Sequence, residues 1–228
     1  MKFLSQIQPI SLREQVVEQV RMAIVEGRLK PNDHVTEAIL TEQLGVSRTP
    51  VREALILLER EGLVVFMPNR GAFVRAFNEG DVRDVFAMRT TLENKAAELC
   101  IDTLTEVDYA RLEALIEQQR QAIEQKDVAS TRSTDMNFHR TLVYAGGNRI
   151  LVRNWEEIVA QIALLLNLWA AALPDHDEFQ SVRDHRDILA AFRSRDLSAV
   201  QHLNREINDR VARDCQRALE VLQSEGPE

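Results

Sequence analysis

The 228-residue sequence predicts a mainly α protein in two parts: three short helices with a β-hairpin, then a bundle of six longer helices. Three observations carry this prediction. Apolar residues recur at helical spacing along most of the chain. The departure is a pair of short β-type runs, 63–66 and 72–74, around Pro68-Asn69-Arg70-Gly71. After Ala76 no strand signal returns, and the breaks between helical segments are short.

Ser11-Leu12-Arg13-Glu14 is a capping box, with glutamate three residues after serine. Val16, Val17, Val20, Ala23 and Ile24 then repeat at helical spacing, and Gly27 stops the helix. Pro31-Asn32-Asp33 reads as a turn. Thr36 caps a short helix through Leu44 that turns Ile39, Leu40 and Leu44 inward. Gly45 and Val46 form a turn, and Ser47 is an N-cap whose hydroxyl can accept an orphan amide. Pro50 falls in the first helical turn, where its missing N–H does little harm. At 100° per residue Val51, Ala54, Leu55 and Leu58 gather on one side of the helix, which ends at Gly62. Arg48, Thr49 and Arg52 cluster on the adjoining side, near the N-terminal end. Arginine there can fork onto guanine in a major groove, and threonine can reach phosphate. Helix, helix, helix, hairpin is the order of a winged helix-turn-helix, assigned to residues 1–77.

Residues 78–228 read as an all-helical domain. Asn78-Glu79-Gly80-Asp81 resembles another cap, and helices are predicted at about 81–101, 106–125, 128–145, 149–173, 178–194 and 197–222. Thr105 with Asp108, Gly146-Gly147-Asn148, Pro174 and Arg195-Asp196 supply the breaks, and residues 224–228 are expected to fray.

Composition narrows the function classes. The net charge of −8 opposes nucleic-acid binding only if it is uniform, and it is not. Residues 1–77 hold 10 basic against 9 acidic side chains, whereas 78–228 hold 18 against 27. A near-neutral module with local arginines on an acidic domain fits DNA binding by the first part. Cys100 and Cys215 lie far apart in helical contexts and read as reduced core thiols, which suits a cytoplasmic protein. Residues 1–9 lack the long apolar run of a cleavable signal. The apolar stretch 158–173 has only 16 residues and includes Gln161 and Asn167, so it reads as a buried helix rather than a membrane span.

The chain resembles the GntR family of bacterial transcription regulators. The resemblance rests on Leu44-Gly45-Val46-Ser47-Arg48-Thr49-Pro50-Val51-Arg52-Glu53-Ala54-Leu55, then Leu58-Glu59-Arg60-Glu61-Gly62-Leu63 and Arg70-Gly71-Ala72-Phe73-Val74. Ala23-Ile24-Val25-Glu26-Gly27-Arg28-Leu29 looks like the family's first-helix ending, and Asn32-Asp33 departs from a usual Pro-Gly turn. The helical remainder looks like the effector domain of the FadR branch, the FCD domain, in its six-helix VanR-like variant. The resemblance implies a homodimer on double-stranded DNA. Arg48 and Arg52 would read bases, Ser47 and Thr49 would touch phosphate, and the Gly71 wing tip would touch the backbone or minor groove.

Asp135 and His139 sit four apart on one helix, about 5–6 Å apart at Cβ and close enough to share a cation. By spacing alone this is an ordinary helix-surface pair. The FadR-branch resemblance implies more: an Asp-x-x-x-His pair, a later histidine matching His185, and a last-helix histidine bind a divalent metal. That last position departs, because alignment places Glu206 there, or Ile207 if the register slips by one. Glu206 is the preferred fourth ligand and His202 a surface residue. A mixed His/carboxylate site suits Zn, Mn, Ni or Fe. Arg89 and Glu93, also four apart, read as a helix ion pair or as a pocket pair in which Arg89 grips an effector carboxylate. Asn148 reads as a helix cap, His176 as a loop cap, and Trp155 and Trp169 as core or dimer surface.

The expected function is a ligand-responsive transcription regulator, implied to act by repression, that binds a pseudo-palindromic operator and answers a small acidic metabolite held by Arg89, Asp135, His139 and His185. Two rivals remain at this point. A metal-dependent hydrolase could use the same Asp/His set, and a helical adaptor would not bind DNA at all.

Overall fold

A computed structural model describes residues 11–224, and the chain divides into two compact units between Ala76 and Phe77. The leader reading of residues 1–9 and most of the frayed tail lie outside the described residues.

The first unit holds α1 (Leu12–Val25), α2 (Glu37–Leu44), α3 (Arg48–Arg60), β1 (Val64–Met67) and β2 (Gly71–Val74). The Ser11/Glu14 capping box opens α1, which buries Val16, Val17, Val20 and Ile24. α3 packs on both α1 and α2. It buries Val51, Ala54, Leu55 and Leu58, the stripe its periodicity predicts. α2 differs from expectation. Leu40 is its buried residue, whereas Ile39 is 45% exposed. Eight residues offer one narrow inward face, and Ile39 lies a further 100° around the helix.

β1 and β2 pair antiparallel from Val64 opposite Val74 to Met67 opposite Gly71. The segment read as a mere turn also joins this hairpin. The Asn32 and Val35 amides donate to the Val74 and Ala72 carbonyls, and the Val74 amide donates to the Asp33 carbonyl. Asn32 takes a φ of 70°, a left-handed conformation that asparagine tolerates. This third edge brings the His34 ring onto Phe73, with centroids 4.5 Å apart. Gly71 adopts a φ of +90°, and a β-carbon there would stand 2.9 Å from His34 Nε2. Gly71→Ala is therefore expected to destabilise the hairpin by about 1–2 kcal/mol. Faster hydrogen exchange at the β1–β2 amides of the full chain checks this; unchanged protection contradicts it.

The second unit is six helices: α4 (Glu79–Cys100), α5 (Glu106–Glu124), α6 (Val128–Ala145), α7 (Arg149–Ala172), α8 (Phe179–Arg193) and α9 (Leu197–Ser224). Capping boxes at Asn78/Asp81 and Thr105/Asp108 start α4 and α5, and the Asn148 side chain accepts two amides at the start of α7. α9 packs along α4, α7 and α8, while α6 packs along α4, α5 and α7. By length and composition α7 could cross a bilayer. It instead buries Trp155, Ile162, Leu164 and Leu165 inside the bundle. Cys100 and Cys215 are buried free thiols, pushed up to about 12 by burial.

Candidate functional site

On the first unit, the buried stripe of α3 forces the opposite choice on its neighbours: Arg48, Thr49 and Arg52 are all exposed beside the first turn. Arg52 is gripped by α2. Its Nε donates to Glu37 Oε1 at 2.8 Å and its Nη2 to Glu37 Oε2 at 3.2 Å. Ser47 occupies the N-cap position with an extended backbone, but its hydroxyl accepts no capping amide. The capping role read for that hydroxyl is thus corrected. Serine supplies the backbone geometry there, and the first-turn amides are not closed by its side chain.

On the second unit, α6 places Asp135 and His139 on one buried face, and α8 brings His185 to them. One ligand atom from each lies within 4.8 Å of the other two. His139 Nε2 and His185 Nε2 are 3.1 Å apart, and Asp135 Oδ1 is 3.5 Å from His185 Nε2. The outer nitrogens set the tautomers. His139 Nδ1 lies 2.9 Å from Glu93 Oε1, and a carboxylate only accepts. His185 Nδ1 lies 2.8 Å from Gln119 Oε1. Gln119 is oriented by its other end, whose Nε2 donates to Asp135 Oδ1 at 3.1 Å and to Ser181 Oγ at 3.0 Å. Both Nδ1 atoms therefore carry protons, and neutral rings turn two Nε2 lone pairs and a carboxylate oxygen toward one point. Three acceptors facing each other in a buried site need a cation between them. The donor set fits a divalent metal.

The electrostatics agree. Burial raises the Asp135 carboxyl, but the charges of His185, His139, Arg89 and Arg132 outweigh it and hold the group below its usual range. Glu93 is likewise buried and likewise held low, by Arg89 and His139. Burial pushes His185 from 6.5 down to about 3, against the pull of Asp135. Its folded pKa is thus depressed. The stability it contributes is complete above about 6.5 and is lost as pH falls toward 3, with Asp135 and Glu93 adding to the loss at the acid end. In chelator, the melting temperature of the full chain is expected to fall steadily below about pH 6.5. A flat profile between about pH 4 and 7 would remove this account.

The cluster opens on a cavity of about 580 Å³ lined in part by Arg89, Arg132, Trp169, His176 and Ile207. Arg89 is buried, and its Nε donates to Glu93 Oε1 at 2.9 Å; Asn208 Nδ2 donates to the other Glu93 oxygen at 2.9 Å. The i,i+4 ion pair read from sequence is thus part of the support for His139. Glu206 is a correction. It is exposed on α9, and Ile207, one residue on, lines the cavity. α9 directs Val200, Asn204 and Asn208 inward, which turns Glu206 outward. His202 is exposed as expected. Trp155 is core, but Trp169 is a cavity wall rather than core or dimer surface. Gln119, Asn208 and Arg132 were missed. The first two come from other helices and leave no local signal, whereas Arg132 precedes His139 by seven residues, a spacing that could have found it.

A sequence-family model described as bacterial regulatory proteins, gntR family, matches residues 12–74, and one described as FCD domain matches 84–210. The HTH-type transcriptional regulator YdhC of Bacillus subtilis (strain 168) is 31% identical over 219 residues, covering 94% of this chain and 93% of that protein. The chain belongs to the GntR family. The HTH-type transcriptional repressor RspR of Escherichia coli (strain K12) is 30% identical over 215 residues, covering 91% of each protein. The solved structure of E. coli McbR/YncC superposes with a TM-score of 0.76 at 26% identity, covering 96% of this chain and all of that one. This GntR protein is a DNA-binding transcription regulator with a ligand-binding type of helical domain, and the hydrolase and adaptor readings are not favoured.

Proposed function

We propose that this GntR regulator is a cytoplasmic homodimer that represses transcription by binding a pseudo-palindromic operator, and that a small acidic metabolite in the helical domain relieves repression. The observation that carries the DNA half is α3. Its aliphatic stripe is buried while Arg48, Thr49 and Arg52 stand exposed at its N-terminal end. Arg48 and Arg52 read base edges, and Ser47, Thr49 and the open first-turn amides meet phosphate. Gly71, with its positive φ and no side chain, lets the wing tip approach the backbone or minor groove. Two-fold symmetry of a dimer would be mirrored in the operator. RspR, at 30% identity, is named a repressor, which supports the sign of regulation.

The helical domain supplies the switch. Asp135, His139 and His185 would hold one divalent metal (Zn, Mn, Ni or Fe), which would offer a positive coordination position to an acid oxygen. Arg89 lines the same cavity and adds a second positive charge. Glu93 and Gln119 hold the histidine rings in the tautomer that presents Nε2. The metabolite acts by binding one arrangement of the dimer more tightly than the DNA-bound one.

Selection of binding sites from a random duplex library by the purified full chain tests this reading. The expected product is an inverted repeat whose half-sites lie about one helical turn apart, bound with steep salt dependence. Recovery of no common sequence would exclude it.

A further inference from the structure

The cavity beside the metal-type cluster holds two polar groups with no assigned role. Arg132 lies three residues before Asp135 and seven before His139, so all three share one face of α6. Its side chain is 11% exposed. Its Nε and Nη2 atoms, the side-on fork of the guanidinium, are buried without a hydrogen-bond partner. His176 stands between α7 and α8, with its side chain 10% exposed and its ring against Trp169, centroids 4.5 Å apart. Its Nδ1 lies 2.7 Å from the Leu173 carbonyl oxygen. A carbonyl only accepts, so Nδ1 carries the proton and Nε2 is left as an acceptor. That Nε2 is also buried without a hydrogen-bond partner.

The two groups are neighbours. Glu178 Oε1 lies 3.6 Å from Arg132 Nη2 and 3.8 Å from His176 Nε2, beyond hydrogen-bonding reach of both. A buried guanidinium fork needs two acceptor oxygens in one plane, which is the shape of a carboxylate. A buried imidazole lone pair needs a donor, and beside a carboxylate that donor is a hydroxyl. Both are line features of the same cavity as Arg89 and the Asp135–His139–His185 cluster.

We propose that Arg132 and His176 are the specificity-determining end of this cavity, and that its ligand is a small hydroxy acid. The carboxylate takes the Arg132 Nε and Nη2 hydrogens, and the hydroxyl donates to His176 Nε2. The inference rests on the reading of this cavity as the effector site. It goes further by separating hydroxy acids from their deoxy counterparts.

Calorimetric titration of the full chain, reconstituted with zinc, tests both levels with two matched pairs: malate against succinate, and glycerate against propionate. The expected result is binding of at least one hydroxy acid at least ten-fold tighter than that of its deoxy partner. Arg132→Gln is expected to weaken that binding by roughly ten- to a hundred-fold, with Arg132→Lys rescuing only part because it lacks the fork. His176→Phe, which keeps a ring against Trp169, is expected to erase the preference for the hydroxyl. Circular dichroism and zinc content confirm that each variant is folded and loaded. If an acid binds, is lost in Arg89→Gln and is unaffected in Arg132→Gln and His176→Phe, the effector cavity stands and this assignment falls. Deoxy acids binding as well as hydroxy acids also overturns it. If none of the four acids binds, the reading of the cavity as an acid-effector site falls, and the assignment with it.

Discussion

Arg52→Ala is expected to abolish sequence-specific operator binding while leaving helical content and melting temperature close to wild type. The side chain is exposed at the start of α3 and contributes nothing to the buried stripe of Val51, Ala54, Leu55 and Leu58. In the DNA-free protein its guanidinium is held by Glu37, at 2.8 and 3.2 Å. The magnitudes decide whether that grip competes with DNA. An exposed ion pair is worth about 0–1 kcal/mol, whereas a bidentate contact to guanine discriminates by about 1–3 kcal/mol. Base reading therefore wins, and Glu37 acts mainly to hold the fork in place before contact. Loss of the contact at both half-sites of a dimer predicts a weakening on the order of a hundred-fold or more at matched salt. Fluorescence anisotropy on the selected operator and on a scrambled duplex makes the measurement. A base-reading arginine lowers the ratio between the two duplexes, while a phosphate-contacting one weakens both and reduces the salt slope by about 1. Wild-type affinity in the variant would sink the assignment of α3 as the reading helix.

Asp135→Ala/His139→Ala is expected to empty the helical domain of metal. Purified wild-type protein should hold about one divalent ion per chain by elemental analysis, and the double variant essentially none. The reason is geometric. The variant removes two of the three converging ligand atoms and leaves His185 alone, held by Gln119. An ion present at about a hundred times its dissociation constant adds about 2.7 kcal/mol to the folded state. Chelation of the wild type should then lower its melting temperature on the order of 5–10 °C, with no such drop in the variant. Gln119→Ala should reduce metal affinity about 10–100-fold, since its amide orients both His185 and Asp135. Absence of metal in wild type after reconstitution would leave a polar cavity without an ion.

The helices of this protein were legible because their boundary signals are local. Ser11/Glu14, Asn78/Asp81 and Thr105/Asp108 each close a capping box within four residues, and each does so in the structure. The same holds for α3, whose burial pattern needs only 100° per residue. The hairpin was legible in its two runs but not in its third edge. That edge depends on Asn32 and Val35 reaching the carbonyls of residues some forty positions later.

The helical-domain site divides along the same line. Asp135 and His139 share a helix, so their proximity follows from spacing, and Arg132 belongs to the same stripe. Glu206 and Ile207 differ by one residue, and no local rule decides which faces the cavity. The rotation of α9 against α4 and α8 decides it, and Asn204 and Asn208 turned inward leave Glu206 in solvent. Gln119 on α5 and Glu93 on α4 became supports for His185 and His139 only through packing. The sequence alone determined which residues could lie on one face of each helix, because backbone hydrogen bonding sets that periodicity within a few residues. Tertiary structure alone decided which faces meet, because the side chains that fix helix rotation lie on other helices and act only once the core has closed.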